Sequence, residues 1–353
     1  MIMIDWVTAK IPFYYPGIIS DGEVMFISGE GELQHSVRKR LQLRGSYDGS
    51  ISIRTSEVDH NGNTSFIEFS GNPVKFLQGH NLFGSSDLVN ITVESVLKIA
   101  DMLNTPQPQN VLFPLYRGAW TVSRVDINRM YSLDRRPDVL SYLYSLSKTA
   151  RTRSQAAVSK GSTVYFNKDS RRWKAKFYSK GQEVELKRNK KQGSIELPPA
   201  IKQWVDPMLR AELTLLSNEL REHPYGLHIA ANWNTIEVHD IYTDYMGRIA
   251  MAEQKTPDNL THVIKSRPAA ASYQMWLDGH DLRQILPRPT FYRHRTYLLE
   301  NHSVDISIPR PSPESNLSNV VPFRKTLELV PATLPHWVEG TNLLFEPRKF
   351  ANM

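Results

Sequence analysis

The chain has 353 residues, length enough for two or three domains, and its 40% hydrophobic and 22% charged residues allow a packed core. It has no cysteine, which excludes disulfides, zinc-thiolate sites and thiol catalysis and suits a reducing cytoplasm. The formal net charge of +7 favours a polyanionic partner, and no apolar run approaches the roughly 18 residues that a membrane span needs.

The opening "MIMIDWVTAKIPFYYPG" carries Asp5 early, has no cationic start, and reads as a first strand rather than a signal peptide. "LQLRGSYDGSISIRT" alternates around Tyr47-Asp48-Gly49-Ser50, a hairpin signal. "NTSFIEFSGNPVKFL" gives another strand, ended by Gly71-Asn72-Pro73. Ile91 to Leu103 has apolar residues at helical spacing. "WTVSRVDINRMY" is a strand by its β-branched alternation, and "RPDVLSYLYSLSKTA" is a helix. "STVYFNKDSRRWKAKFYSKGQEVEL" reads as two strands around a turn at Asn167-Lys168-Asp169-Ser170. "PPAIKQWV" begins a short helix, and "LRAELTLLSNEL" runs from strand to helix. The expected fold class is α+β with a largely antiparallel sheet over residues 1–222.

From 223 to 308 helical stretches dominate. "GHDLRQILPRPTFYRHRTYLLENHSVDI" (279–306) has a short amphipathic helix, a break at Pro287-Arg288-Pro289, and a second helix with Tyr292, Arg293, His294 and Arg295 in its first turns. That is a helix-turn-helix-like pattern, with Arg293 and Arg295 as DNA contacts; an ordinary helical hairpin with basic outer residues has the same appearance. Residues 309–353 read as a Pro/Ser-rich linker, a last strand in "NVVPFRKTLELVP" and a tail.

Between Lys148 and Lys191, fourteen Lys or Arg stand against three acids, with Tyr165, Phe166, Trp173, Phe177 and Tyr178 interleaved. A charge run is commonly a solvated face. Cations for phosphates and aromatic faces for bases favour nucleic acid here, with Arg171, Arg172 and Lys176 as contacts. Single acids sit among apolar neighbours on three strands: Glu68, Asp126 and Glu212. Asp126 shares a face with Arg124 and Asn128, and Glu212 with Arg210 and Thr214. Carboxylates converging from separate strands can hold Mg²⁺ or Mn²⁺, and exposed acid–arginine pairs explain the same pattern. Tyr178 lies between Lys176 and Lys180 at i−2 and i+2, so strand alternation predicts three polar groups on one side. Flanking ammonium groups favour a phenolate and bind phosphate. Tyr165, on the preceding strand, is the competing nucleophile, and a strand tyrosine is most often a packed residue. No His-x-His pair and no GxxxxGK[ST] occur, so a two-histidine cation site and an ATPase find no support.

The chain resembles the replication initiators of filamentous bacteriophages, the gene II/gene X protein family, and is similar in its Arg-Asp and Arg-Glu strands to plasmid rolling-circle initiators. The matching blocks are "NPVKFLQGHNLFGSSDL", "VSRVDI", "TRSQ" followed by "STVYFN", "LRAELTL", "LPRPTFYRHRTYLLE" and "NVVPF". The resemblance implies an Mg²⁺-dependent strand endonuclease that nicks the origin of the double-stranded replicative form, becomes linked to the 5′ phosphate, and later rejoins the displaced strand. It implies Tyr178 as nucleophile, Lys180 as charge-balancing partner, and Asp126, Glu212 and Glu68 as metal ligands. His80 and Asn81 in the "QGHN" turn are implied to position DNA or help the metal. It also implies a host cytoplasmic setting, the host replication helicase and polymerase as partners, and a homodimer on DNA. The competing expectation is an origin-binding replication or transcription regulator without chemistry.

Overall fold

A strand with alternating burial, β1 (Ile2–Tyr15), opens the chain. The computed structural model describes residues 1–45, 49–152, 156–190, 198–251, 264–302, 304–307, 329–341 and 343–345. The Tyr47-Asp48 part of the hairpin signal, the end of "TRSQ", the linker and "NVVPF" lie outside the described residues.

After β1 come β2 (Glu23–Ile27), β3 (Leu33–Arg38), β4 (Leu41–Arg44), β5 (Ser50–Val58) and β6 (Thr64–Gly71). Helices α1 (Pro73–Gln78), α2 (Leu88–Met102) and α3 (Gln109–Tyr116) lead to β7 (Thr121–Ser132). Next are α4 (Arg136–Thr149), β8 (Ala150–Arg151), β9 (Val158–Lys160), β10 (Thr163–Phe166) and β11 (Trp173–Ser179). Then follow α5 (Lys180–Lys190), α6 (Pro199–Val205), β12 (Met208–Leu216), α7 (Ser217–Glu222), α8 (Val238–Gly247) and β13 (Ala250–Met251). Last are α9 (Arg267–Leu277), α10 (Leu282–Ile285), α11 (Arg288–His302) and β14 (Val330–Pro331).

The main sheet runs β4-β5-β6-β1-β7-β12-β11-β10-β9, with β14 added to β7. Its pairs are antiparallel. The expected α+β class with a largely antiparallel sheet and flanking helices is therefore observed. Each central strand has one apolar face. Val7, Val125, Leu213 and Phe177 share a buried core with Val96 of α2, Leu143 of α4 and Tyr245 of α8. Residues 227–249 thus pack with the sheet. A second apolar cluster joins α9, α10 and α11 through Tyr273, Trp276, Leu282, Phe291 and Leu298.

One local expectation needs correcting, and other elements were not anticipated. "KGQEVEL" alternates like a strand, yet it forms the start of α5. Ser179 is the cap: its hydroxyl accepts from the Gln182 N–H at 3.3 Å, and Lys180 pairs with Glu183 one turn on. The Ser-x-x-Gln spacing is a helix-start signal that short-range alternation masked. The ribbon β2–β3 and helix α3 were not expected. That ribbon exposes Val24, Met25, Phe26 and Ile27, so it carries no inside-outside pattern to read.

The first turn of α5 is pressed against the chain before β12. A Cβ on Gly181 would lie 2.6 Å from the Asp206 carbonyl oxygen. Gly181→Ala is expected to cost about 1–3 kcal/mol through this overpacking, read as a lower denaturation midpoint.

Candidate active site

Register gathers the polar side chains on the sheet face opposite the core. Thr214 and Glu212 of β12 stand across from Asp126 and Asn128 of β7. Lys176 and Tyr178 of β11 stand across from Glu212 and Arg210. Asp126 and Glu212 are therefore diagonal neighbours on adjoining strands.

The Tyr178 hydroxyl donates to Glu212 Oε2 at 3.4 Å, and Lys176 Nζ lies 2.7 Å from Glu212 Oε1. Arg124 grips Asp126 through Nε and Nη2 at 2.8 and 2.7 Å. The Lys176 and Lys180 ammonium groups lie 5.6 and 5.9 Å from the Tyr178 ring centroid. The two lysines do flank the ring, but by a different route from the one alternation predicts. β11 ends at Ser179, and Lys180 reaches the ring from the first residue of α5.

A buried polar network adjoins the tyrosine. Arg210 is fully buried, with Nη2 2.9 Å from Asp5 Oδ1, and its Nη1 donates to the Asn81 carbonyl at 2.7 Å. Asp5 also accepts from the amides of Asn72 at 2.6 Å and Asn81 at 2.9 Å. Lys180 donates to Asn81 Oδ1 at 3.1 Å and to Glu183 at 2.6 Å. The register shift between Ile4 and Trp6 makes this possible: Trp6 stands opposite Asp126 while Asp5, the residue before it, bonds Arg210 on the same face.

These surroundings set the protonation states. Burial pushes the Tyr178 phenol well above its ordinary value, with Arg210 pulling the other way and Glu212 adding to the rise. Burial, helped by the charge of Asp5, raises the Glu212 carboxyl, and Lys176 opposes this. Burial opposes ionisation of Asp5, but Arg210, Lys180 and the two amides outweigh it and hold its carboxyl below the usual range. The phenol is thus a protonated group resting on a carboxylate of raised basicity. That is the arrangement a proton transfer from oxygen to oxygen requires.

Not every expected residue joins the cluster. Glu68 shares the polar face but is taken by Arg40 and Arg54 at 2.9 and 2.8 Å, four residues along β1 from Trp6. Tyr165 stands opposite Lys176, half-buried, with Lys168 Nζ 5.8 Å from its ring centroid. His80 is packed edge-on to Phe83, and its Nδ1 accepts from the Leu82 N–H at 3.4 Å. Burial and the Lys180 charge push its imidazole down to about 4, against a hydrogen bond to the Leu343 backbone. It is a neutral ring at pH 7. Arg171 and Arg293 are exposed. Arg172 is exposed but paired with Glu219 and Glu222, both at 2.7 Å. Arg295 turns inward, where Asp305 holds it in a bidentate pair at 2.7 and 2.6 Å. It is not a surface contact, because it lies on the buried side of α11 with Phe291 and Leu298 and reaches Ser141 and Tyr144 of α4.

Sequence reading missed Asp5, Asn72 and the buried pairing of Arg210. The signal for Asp5 was present as an acid in an otherwise apolar first strand, but the bulge that gives it a role cannot be read from alternation.

Asp126 and Glu212 suit a hard divalent cation in donor type. Both are carboxylates on one polar face. Among the described residues no three His, Asp or Glu side chains converge as a metal cage. Two carboxylates with water and substrate phosphate completing the shell is the usual way Mg²⁺ is held, so the donor set fits that ion.

Fold and site together define an antiparallel-sheet protein with a tyrosine, two carboxylates and several cations on one polar face. The family of the phage gene II replication-associated protein is matched twice, by its N-terminal part over residues 3–236 and by its C-terminal part over residues 251–344. The chain belongs to this family of replication-associated proteins, which bears out the resemblance to the filamentous phage proteins. It is 33% identical over 356 residues to the gene II replication-associated protein of Enterobacteria phage I2-2, covering 99% of this chain and 100% of that protein. A solved structure, that of the rolling circle replication initiator protein from Geobacillus stearothermophilus, has 12% identity and a TM-score of 0.34, over 73% of this chain and 89% of that one.

Proposed function

We propose that this chain starts phage DNA replication by cutting one strand of the double-stranded replicative form at its origin. The observation that carries this reading is the Tyr178 hydroxyl directed at Glu212 Oε2 between two lysines. Family membership supplies the substrate class, since relatives carry replication in their name.

In this reading Glu212 takes the phenol proton as the Tyr178 oxygen attacks the scissile phosphorus. The bond from phosphorus to the 3′ oxygen breaks, and that oxygen takes its proton from solvent water. A 5′-phosphotyrosine and a free 3′-OH result, and the latter is the primer for the host polymerase. Lys180 and Arg210 offset the negative charge that the phenol acquires. Lys176 leaves Glu212 for the phosphate as the carboxylate is protonated. Asp126 and Glu212 Oε1, the oxygen that Lys176 vacates, would hold Mg²⁺ or Mn²⁺, and the bound ion would neutralise phosphate charge and favour departure of the 3′ oxygen. Glu68 has no part in this, standing opposite Lys10, four residues along β1 from the Trp6 that faces Asp126. The phosphotyrosine bond conserves the energy of the phosphodiester, so attack by the returning 3′-OH rejoins the strand without ATP.

Residues 1–222 supply the chemistry in this proposal, with the exposed Arg171 meeting phosphates, and 223–308 grip the origin duplex through helices that include the exposed Arg293, while 227–249 pack with the sheet. Residues 309–353 are its linker and tail. The setting is the host cytoplasm, with the replication helicase and polymerase as later partners and a second copy of the chain on the DNA. Among the described residues no helix is long and apolar enough to cross a membrane.

The test uses purified protein, the supercoiled replicative form of its own phage, and Mg²⁺. Relaxed circles and a protein-linked 5′ end are expected, and EDTA is expected to stop cutting. Origin binding with no cut under any divalent ion would overturn the reading in favour of a regulator without chemistry.

A further inference from the structure

The proposed chemistry leaves one motif without work: the "QGHN" turn, Gln78 to Asn81. His80 is half-buried and neutral, so it brings no charge to DNA or metal. Asn81 is different, because its side chain is bonded at both ends. Its amide nitrogen donates to Asp5 Oδ1 at 2.9 Å, and its amide oxygen accepts from Lys180 Nζ at 3.1 Å. Its backbone carbonyl accepts from Arg210. We propose that Asp5 and Asn81 are positioning residues that hold the Lys180 ammonium and the Arg210 guanidinium on either side of the nucleophilic tyrosine. The inference rests on the functional reading above.

The geometry carries this in three steps. An amide side chain has one acceptor and one donor end, and rotation by half a turn exchanges them. Asp5 is a carboxylate held ionised by Arg210 and Lys180, so it only accepts. It therefore forces the nitrogen of Asn81 towards itself and the oxygen towards Lys180. Lys180 is 1% exposed, so its ammonium needs fixed acceptors in place of water. Glu183 and Asn81 are two of them, from opposite sides of the sequence. Gln78 holds the turn that presents Asn81: its amide donates to the carbonyls of Phe83 at 2.7 Å and His80 at 3.1 Å. Asn72, capping α1 through its oxygen, spends its nitrogen on the same Asp5 oxygen. The segment from Asn72 to Asn81 is thus a bracket clipped to β1 at Asp5, and the cations beside Tyr178 hang from it.

Positioning predicts a pattern that packing alone does not. In single-turnover cleavage of an origin oligonucleotide, Asn81→Ala and Lys180→Ala are each expected to slow the cutting step by about 100-fold, the usual scale for a displaced catalytic group. Oligonucleotide affinity should stay within about threefold, since Lys180 is buried and Asn81 is half-buried with both ends of its side chain already bonded. The double variant should be close to Lys180→Ala, because the Asn81 side chain reaches the tyrosine through Lys180, while its bond to Arg210 is made by a backbone carbonyl that alanine keeps. Asp5→Asn should slow the same step. If Asn81→Ala does not fold, Asn81→Ser carries the same cycle, being too short to bridge both partners. Additive losses in the double variant, a loss seen in affinity rather than rate, or an unchanged rate in Asn81→Ala would each overturn the inference while leaving the functional reading intact. A wild-type protein that never cuts overturns both.

Discussion

Tyr178→Phe is expected to lower strand cutting by roughly 10⁴-fold or more while leaving the protein folded. The substitution removes one oxygen. What that oxygen does for the fold is small: its one described hydrogen bond, to Glu212, is 3.4 Å long, at the weak end of the range. The ring remains, and with it the contacts to Lys176 and Lys180. On the proposed function that oxygen is the nucleophile, and among the described residues no other phenol rests on Glu212. Tyr165→Phe is the control. Tyr165 stands opposite Lys176 rather than beside Glu212, so its loss should leave the cut and the covalent adduct in place. The measurement is the yield of protein-linked 5′ ends on an end-labelled oligonucleotide, with thermal unfolding recorded alongside. An adduct in Tyr178→Phe would move the nucleophile to Tyr165.

The second large effect lies far from the chemistry. Asp305→Ala is expected to destabilise the C-terminal helices by about 3–5 kcal/mol, the usual cost of leaving a buried charge without its partner. Arg295 is 4% exposed, and it donates at once to Asp305 and to the Ser141 carbonyl of α4 at 3.0 Å. Without the acid, the guanidinium must either leave α4 for water or stay buried and uncompensated. Faster proteolysis and amide exchange in residues 264–307, with the sheet protected, would report this. Unchanged exchange there would show the pair to be dispensable. The pH dependence has a definite sign. Burial opposes ionisation of Asp305, but Arg295 and Ser307 outweigh it and hold the carboxyl below its ordinary value. The stability it contributes is therefore complete above the ordinary carboxylate pKa, and is lost as pH falls from there through the lower folded value. Asp305→Ala should flatten that acid limb.

What could be read in advance followed from pattern strength. β7, β11 and β12 are long, β-branched and alternating, so their faces, and the shared side of Asp126, Glu212, Lys176 and Tyr178, were legible. Alternation gives the face of a strand but not the distance along it. Glu68 is on the correct face and still lies out of reach, a fact that only register contains. Asp5 was hidden by a bulge, which breaks the period on which the reading depends. Lys180 was assigned to the tyrosine by the wrong geometry, because Val184 and Leu186 mimic a strand inside the first turns of a helix. Arg295 was legible in principle. It sits four residues after Phe291 and three before Leu298, on the apolar stripe, where a charge signals a buried partner more than a ligand.

The strand order also bears on how the molecule is made. β1 is synthesised first yet ends in the middle of the sheet, between β6 and β7. During translation its β7-facing edge waits unpaired while more than a hundred residues emerge, and β12 arrives later still. Such non-local pairing raises contact order and slows folding. It also means that Asp5, Asn81, Tyr178 and Glu212 meet only in the last stage of assembly. On the proposed function, a nascent chain therefore has no tyrosine poised to cut DNA until the sheet has closed around it.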